Sequence, residues 1–258
     1  MKGMMTILAV LFVSGTMAGL YALTGTEIMT MVDEREDGTD RQSEMEMTLT
    51  NHRGVSRVRE MRSYGKDYGE DSKQVMVFLF PADVAGTGYL SWEYDDPSKD
   101  DDRWLYMPAL RSSRRISGSS SNDYFMGSDF TYDDMGDRNI DEDTHTLLRE
   151  ENLDGNLCWV VESVPVDPDD MYDRKVIWVR QDNAVVVKVE YYDAMGLMKV
   201  FTAEDIRQVN GIWTAHRIHM DNIRDEHQTT LTFSSVSYDQ GLDDNIFTVA
   251  AMERGRIQ

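Results

Sequence analysis

The sequence predicts a mainly β fold with few helices (α+β), organised as one curled antiparallel sheet. Apolar and polar residues alternate with a period of two through most of the chain after residue 43. Turns of the hairpin type, such as Asn210-Gly211, separate successive alternating runs. About eleven strands in sequence favour a sheet that curls or closes, because the twist of each strand adds to the next.

The N-terminus has the layout of a secretory signal peptide. An apolar run, Met4 to Val13, follows a positive start and gives way to small residues up to Ala22. The alternative is an uncleaved anchor, because the uncharged stretch that ends at Leu23 is just long enough to span a bilayer. We predict a signal peptide over residues 1–22 and a single domain over residues 23–258.

Charge and cysteine usage narrow the function classes. The chain has 47 acidic and 26 basic residues, a formal net charge of −21. This balance argues against non-specific binding to nucleic acid or to an anionic membrane surface, since both attract basic patches. Cys158 is the only cysteine, which excludes an intrachain disulfide and predicts a buried, inert thiol. An exported chain without disulfides fits a bacterial periplasm.

One amphipathic helix is predicted before the sheet. Thr24 and Glu27 have the spacing of a capping box, and Gly38 is expected to stop the helix. The eleven predicted strands then cover residues 43–50, 55–64, 73–80, 88–95, 144–153, 157–164, 174–180, 185–193, 198–206, 213–221 and 228–237, and residues 103–107 are a candidate partner for the strand over 88–95. The tail from Leu242 to Val249 is predicted to form a final turn that packs Phe247 back onto the sheet.

The central segment, Asp100 to Asp134, is the least regular part of the chain. It contains a predicted basic turn, Arg111 to Ile116, and a Ser/Gly hinge, Ser117 to Ser121. Polar loops rarely carry so many large apolar side chains, and we expect a concave sheet to cover Trp104, Tyr106, Phe125, Phe130 and Tyr132. The alternative is a long, well-packed structural loop.

The sequence shows no pattern of an enzyme, and we predict no catalytic residue and no cofactor. Gly127-Ser128-Asp129 lacks the closing glycine of a nucleophile elbow. His216 and His219 are three residues apart, which on a strand places their side chains on opposite faces and makes them a poor pair of metal ligands. Gly86-Thr87-Gly88 lacks the third glycine and the following helix of a phosphate-binding loop.

No metal site is predicted either. Asp100 to Asp102 and a second group could hold Ca²⁺, but neither has the ligand spacing of an EF-hand loop, so a solvated acidic surface is the expectation. The second group is Asp167, Asp169, Asp170 and Asp173.

Methionine is abundant, with 18 residues in the chain. Many lie in predicted strands, as Met45, Met47 and Met76 do. Flexible, polarizable methionine side chains can line a surface that fits varied apolar ligands, although they also serve as ordinary core filling.

Four runs, read in order, resemble a known family. They are Leu90 to Tyr94, Asp101 to Leu110, Arg114 to Ile116 and Phe125 to Asp134. The series is similar to the hallmark of the LolA-like superfamily, in its larger branch of periplasmic outer membrane lipoprotein-sorting proteins. The resemblance covers about residues 24–252. It implies an incomplete β-barrel with helices packed across its open mouth, enclosing an apolar cavity.

The resemblance also implies a function. Relatives carry the acyl chains of lipoproteins from an inner-membrane transporter to an outer-membrane acceptor, and members of this branch resemble partners of RND-type exporters. We therefore expect a periplasmic carrier or chaperone for lipoprotein acyl chains or other lipids, with transient membrane-protein contacts and no nucleic-acid partner. The alternative is a non-catalytic interaction subunit of an RND-type export system.

Eight residues are the candidates for the site. We expect the cavity or its lid to be lined by Trp92, Trp104, Tyr106, Phe125, Met126 and Phe130. Arg114 and Arg115 are expected to contact a head group or to form ion pairs with Asp101, Asp102 and Asp129.

Overall fold

The computed structural model describes residues 23–96 and 98–257. The predicted signal peptide, residues 1–22, lies outside the described residues. The described chain forms one sheet of thirteen antiparallel strands. The strands are β1 (Asp40–Thr50), β2 (Ser56–Tyr68), β3 (Asp71–Phe80), β4 (Gly88–Glu93), β5 (Asp102–Met107), β6 (Ser112–Ile116), β7 (Asp143–Leu153), β8 (Asn156–Pro165), β9 (Arg174–Arg180), β10 (Val186–Asp193), β11 (Gly196–Val209), β12 (Ile212–Asn222) and β13 (His227–Tyr238).

The sheet is open, with the order β6-β5-β4-β3-β2-β1-β13-β12-β11-β10-β9-β8-β7. Strands adjacent in the sequence are adjacent in the sheet except for β6 and β7, and one pair of neighbours in the sheet is not adjacent in the sequence. The first strand pairs with the last, Arg41 opposite Tyr238 and Thr50 opposite Gln228. The edge strands β6 and β7 do not pair with each other, and the chain that joins them passes over the inner face of the sheet. The predicted mainly β, curled antiparallel fold is confirmed.

One segment that the sequence predicts to be a turn is a strand in the structure. We expected a basic turn over Arg111 to Ile116, but Ser112–Ile116 forms β6, with Arg103 opposite Ile116 and Met107 opposite Ser112. The run is short and rich in Arg and Ser, so its alternation is weak. Edge strands tolerate such polar sequences because one side of the strand faces solvent.

The two faces of the sheet bury different residues. On the inner face, Met45, Met47, Phe78 and Tyr89 join one cluster, and their buried positions confirm the predicted alternation in β1. On the outer face, Leu90 and its neighbours pack against the C-terminal segment. Here Phe247 is 1% exposed, which confirms that the tail packs back onto the sheet.

Two helices flank the sheet, α1 (Gly25–Asp33) and α2 (Val249–Glu253). The predicted capping box starts α1: the Glu27 amide donates to Thr24 Oγ1 at 3.2 Å and the Thr24 amide to Glu27 Oε2 at 2.7 Å. Ile28 of α1 is fully buried on the inner face. A β-carbon on Gly25 would lie 2.6 Å from the His145 backbone, so only glycine allows this close approach to β7. The expectation that helices cross the open mouth stays a prediction.

The plug, defined here as residues 117–137, lies on the inner face. Phe125 is fully buried between Phe78, at 6.0 Å between ring centroids, and Tyr89, at 5.3 Å. Phe130 and Tyr132 are buried in the same cluster. A segment whose regular structure is limited to two short 3-10 turns, residues 118–120 and 125–127, therefore supplies much of the core of the first half of the sheet.

Two aspartates fasten the plug to the second half of the sheet. Asp129 Oδ2 accepts from Thr229 Oγ1 at 2.6 Å and lies 2.7 Å from His227 Nδ1. Asp134 Oδ2 accepts from Lys199 Nζ at 2.5 Å, and the Lys199 side chain is fully buried. The same ammonium group donates to the Asp129 carbonyl at 3.1 Å. Both charges of the Lys199–Asp134 pair are thus removed from water.

Lys199→Met should lower the free energy of unfolding by about 3–5 kcal/mol, because it leaves the Asp134 carboxylate buried without its cation. Urea unfolding followed by circular dichroism measures the loss. The matched control is Arg217→Met, whose ion pair with Glu204 is about half exposed and should be worth no more than about 1 kcal/mol. Equal losses in the two variants would show that the buried pair does not hold the plug.

Candidate ligand-binding cleft

A cleft runs along the inner face through three adjoining cavities. We call them the vestibule, of about 530 Å³, the passage, of about 240 Å³, and the inner pocket, of about 190 Å³. Glu93 and Asp137 lie in the walls of both the vestibule and the passage. Gly65 and Met135 lie in the walls of both the passage and the inner pocket. Because each cavity shares wall residues with the next, the three lie in a row along the inner face.

The inner pocket is the apolar end of the cleft. Inward-facing positions of the strands build its wall, and the plug closes it from above with Phe130 and Met135. Its apolar lining is Met45, Met76, Phe130, Met135, Phe201, Ile218, Leu231 and Phe233. At about 190 Å³ the inner pocket alone is smaller than the roughly 300–1,000 Å³ of ordinary ligand sites, whereas the vestibule, at about 530 Å³, falls in that range.

The vestibule is the acidic end. It lies between α1, the chain that joins β2 to β3, and the C-terminal end of the plug. Eight of its carboxylates form no ion pair with any residue that the structure describes: Asp33, Asp37, Asp67, Glu70, Asp71, Glu93, Asp95 and Asp137. The cations nearby are engaged elsewhere. Arg138 binds Asp143 and Asp170 at 2.8–2.9 Å, and Lys175 lies 3.7 Å from Asp143.

Glu93 and Asp137 form the centre of this acidic region. The Asp137 amide donates to Glu93 Oε2 at 3.0 Å, and Ser72 Oγ lies 3.4 Å from a carboxylate oxygen of each residue. Glu93 is 7% exposed, and its Oε1 has no hydrogen-bond partner in the described chain. A β-carbon on Gly136 would lie 2.8 Å from that oxygen, so glycine is required where the plug passes Glu93.

Burial sets the ionisation of these groups. Burial, together with the neighbouring charge of Asp137, raises the pKa of Glu93 to about 7. Burial, with the charge of Asp37, raises the pKa of Asp67 to about 6. The pKa values of Asp37 and Asp137 are raised for the same first reason. Near neutral pH the vestibule therefore holds protons that isolated carboxylates would release.

The six predicted apolar site residues divide between the two faces. Phe130 lines the inner pocket, Phe125 is buried in the core beneath the plug, and Met126 is half-buried beside them. The other three, Trp92, Trp104 and Tyr106, pack on the outer face against the C-terminal segment. There Trp92 Nε1 donates to the Phe247 carbonyl at 3.1 Å.

The two predicted arginines lie on the edge strand β6. Arg115 forms an ion pair with Asp102. Arg114 is exposed, and no carboxylate among the described residues lies within ion-pair distance of it. The other two expected partners bind elsewhere, Asp101 to Arg103 at 2.8 Å and Asp129 to His227 at 2.7 Å.

Sequence reasoning missed most of the cleft. Alternation in the last strands could have found Ile218, Leu231 and Phe233, which face inward at every second position. No local signal marks Glu93 and Asp137, which are 44 residues apart and meet only because the plug folds back.

Two further observations bear on the class of protein. Among residues 23–96 and 98–257, no group of three or more His, Cys, Asp or Glu side chains could hold a metal ion. Within the same described residues, no helix is long and apolar enough to cross a membrane.

Comparisons with known proteins place the chain among close structural relatives. A family model described as an uncharacterized protein matches residues 70–254. An outer membrane lipoprotein-sorting protein domain from Vibrio parahaemolyticus is 32% identical, with a TM-score of 0.84 over 89% of this chain and 98% of that chain. A DUF1329 family protein from Desulfovibrio piger is 34% identical, with a TM-score of 0.85 over 88% and 97% of the two chains.

A more distant structure shares the fold. A LolA superfamily protein from Nitrosomonas europaea is 23% identical, with a TM-score of 0.69 over 89% of this chain and 99% of that chain. No curated protein matches the sequence.

Glu93→Gln should stabilise the protein above neutral pH. The folded-state pKa of Glu93 is raised, so the folded protein binds this proton more tightly than the unfolded chain does, and stability falls as the pH rises from about 4.5 to about 7. We expect the variant to gain on the order of 2 kcal/mol at about pH 8 and nearly nothing at about pH 4, measured by urea unfolding.

The control for this experiment is Glu226→Gln, on an exposed turn, which should change stability little at either pH. A Glu93→Gln variant less stable than the parent protein at about pH 8 would contradict the assignment.

Proposed function

Because the chain belongs to the LolA-like family of outer membrane lipoprotein-sorting proteins, we propose that it is a carrier that binds lipid or lipoprotein acyl chains in the cleft on its inner face. The single observation that carries the proposal is the row of three adjoining cavities that leads along the inner face to an apolar pocket. A chain-like apolar ligand can enter at the vestibule, run through the passage and end among methionine and phenylalanine side chains.

The lining of the inner pocket suits acyl chains of varied shape. Met45, Met76 and Met135 have unbranched, polarizable side chains that adapt to the outline of a ligand. Each buried CH₂ group contributes roughly 0.8 kcal/mol, so even a few methylenes beyond the passage give measurable affinity. The polar walls of the passage and vestibule would keep the hydrated part of the cargo in contact with water.

The plug and α1 define how cargo would enter. The plug covers the inner pocket and is fastened through Asp129 and Asp134, so we propose that it stays in place while the vestibule admits the ligand. Met29 and Val32 of α1 line the vestibule. This helix is therefore our candidate for the cover across the open mouth.

The setting of this function is a further proposal. The signal-peptide pattern of residues 1–22 and the similarity to the Vibrio outer membrane lipoprotein-sorting protein domain support a periplasmic carrier that delivers cargo toward the outer membrane. Release would then depend on a competing acceptor. An inner-membrane RND-type transporter is the proposed donor.

Gly65→Trp should block uptake of an acyl ligand. Gly65 lies where the passage meets the inner pocket, and the nearest atom to a β-carbon built there is the Lys73 carbonyl, at 4.0 Å. An indole therefore fits on the strand and fills the path of the ligand. Keeping two CH₂ groups out of the inner pocket weakens binding about tenfold, which titration of delipidated protein with a fluorescent fatty acyl probe would detect.

Thr232→Trp is the matched control, because Thr232 is exposed on the outer face of β13 between inward-facing Leu231 and Phe233. It should leave probe affinity unchanged. If the folded parent protein shows no saturable uptake of the probe, the carrier proposal fails. That result, together with co-purification of a membrane transporter, would favour the interaction subunit.

A further inference from the structure

One end of the first six strands differs in charge from the rest of the molecule, including the neighbouring β12–β13 turn with Asp225 and Glu226. Because β1 to β6 form an antiparallel meander, the β1–β2 turn, the β3–β4 loop and the β5–β6 turn all project from the same end. We call this the hairpin end and define it as residues 51–60, 79–87 and 107–114. The loop and the second turn touch, since a β-carbon on Gly86 would lie 3.2 Å from Pro108 Cγ.

The hairpin end is basic in an acidic protein. It carries five arginines against two carboxylates, Glu60 and Asp83, whereas the whole chain has 26 basic and 47 acidic residues. The arginines are Arg53, Arg57, Arg59, Arg111 and Arg114. None of them forms an ion pair within the part of the chain that the structure describes. Elsewhere on the molecule most arginines do, as Arg138 and Arg224 illustrate.

Large apolar side chains are exposed at the same end. Val55 is 58% exposed at the tip of the β1–β2 turn, Phe80 is 50% exposed at the end of β3, and Leu110 is 64% exposed in the β5–β6 turn. They stand on three separate projections rather than on one flat face. Isolated exposed apolar residues are ordinary, but three of them interleaved with free arginines form an amphipathic surface.

A pocket lies behind the β1–β2 hairpin. It has a volume of about 390 Å³ and is lined by Leu49, Asn51, Val55, Arg57, Arg59, Met126, Gly127 and His227. Arg59 Nη1 donates to the Met126 carbonyl at 2.5 Å, which leaves the remaining guanidinium donors available. Burial lowers the pKa of Arg59, which means that its positive charge is poorly solvated there. An anionic group in this pocket would compensate that charge.

We propose that the hairpin end is a docking surface for a membrane that contains anionic phospholipids. The arginines would bind lipid phosphates, for which the guanidinium fork is well suited, while Val55, Phe80 and Leu110 would enter the head-group layer. Separate projecting tips fit a soft, fluid surface better than they fit a rigid protein partner. The acidic remainder of the protein does not prevent contact, because salt screens it beyond a Debye length of about 8–10 Å.

This docking leaves the cleft open. The vestibule and passage contain Asp40, Asp67 and Glu93, at the ends of β1, β2 and β4 that lie away from the hairpin end. The eleven residues of β1 alone separate the two ends by roughly 35 Å. A protein held on a membrane by its hairpin end would therefore present the vestibule away from that membrane, toward a donor or acceptor that reaches it from the aqueous side.

The test is co-sedimentation of the folded, delipidated protein with vesicles. Vesicles of phosphatidylcholine with phosphatidylglycerol should bind the protein, vesicles of phosphatidylcholine alone should bind it much more weakly, and added salt should reduce binding. The combined variant Arg53→Glu, Arg57→Glu and Arg111→Glu should lose at least about tenfold in affinity for the anionic vesicles. Uptake of the acyl probe should be unchanged, which separates this proposal from that of the carrier.

The control variant carries the same charge change elsewhere. Arg149→Glu, Arg207→Glu and Arg217→Glu alter three half-exposed arginines outside the hairpin end and should leave vesicle binding within about twofold of the parent protein. A neutral variant, Val55→Ser with Leu110→Ser, should weaken binding without changing its salt dependence. No binding of the parent protein to anionic vesicles, equal binding to both kinds of vesicle, or equal losses in the two arginine variants would overturn the proposal.

Discussion

The ammonium group of Lys199 is the point on which the inner face depends. An open sheet of thirteen strands exposes an apolar face that must be covered, and the cover here is a plug with almost no hydrogen-bonded regular structure. Lys199 binds the carboxylate of Asp134 and the carbonyl of Asp129, and it lies 5.0–5.1 Å from the ring centroids of Tyr172 and Tyr191. A buried charge is tolerated only when its contacts are complete, so the plug has one favourable position.

That position determines the cavity. The Lys199 contacts hold Asp129 and Asp134, and the intervening residues place Phe130 in the wall of the inner pocket. Met135, which follows Asp134, lines both that pocket and the passage. A shift of the plug by one residue would move Phe130 out of the pocket wall and place a polar neighbour there. The ion pair and the apolar end of the cleft are therefore parts of the same arrangement.

The sequence specifies the strands far better than the site. The sequence patterns located eleven strands and a candidate for β5, and they failed at β6, where Arg114 and Arg115 obscure the alternation of an edge strand. Trp92 and Trp104 were expected near the cavity because they are large and lie in the recognised hallmark. Where both faces of a strand are covered, period-two alternation does not show which face lines the cavity. The helix α2, which covers the outer face, has too weak a sequence pattern for the helix to be predicted. Nothing in the local sequence distinguishes Lys199 from an ordinary lysine on a strand, because its role depends on contacts with the plug.

Among the described residues, charged groups without ion-pair partners lie at two opposite ends of the molecule, negative at one and positive at the other. Carboxylates without cations gather in the vestibule, and arginines without carboxylates gather at the hairpin end, although the same strands β1 to β4 connect the two. The unpaired arginines lack the favourable interaction that a carboxylate would give, so the hairpin end gains from a ligand of negative charge. Near a negatively charged surface the separation also acts as a dipole, which turns the hairpin end toward the surface and the vestibule away from it.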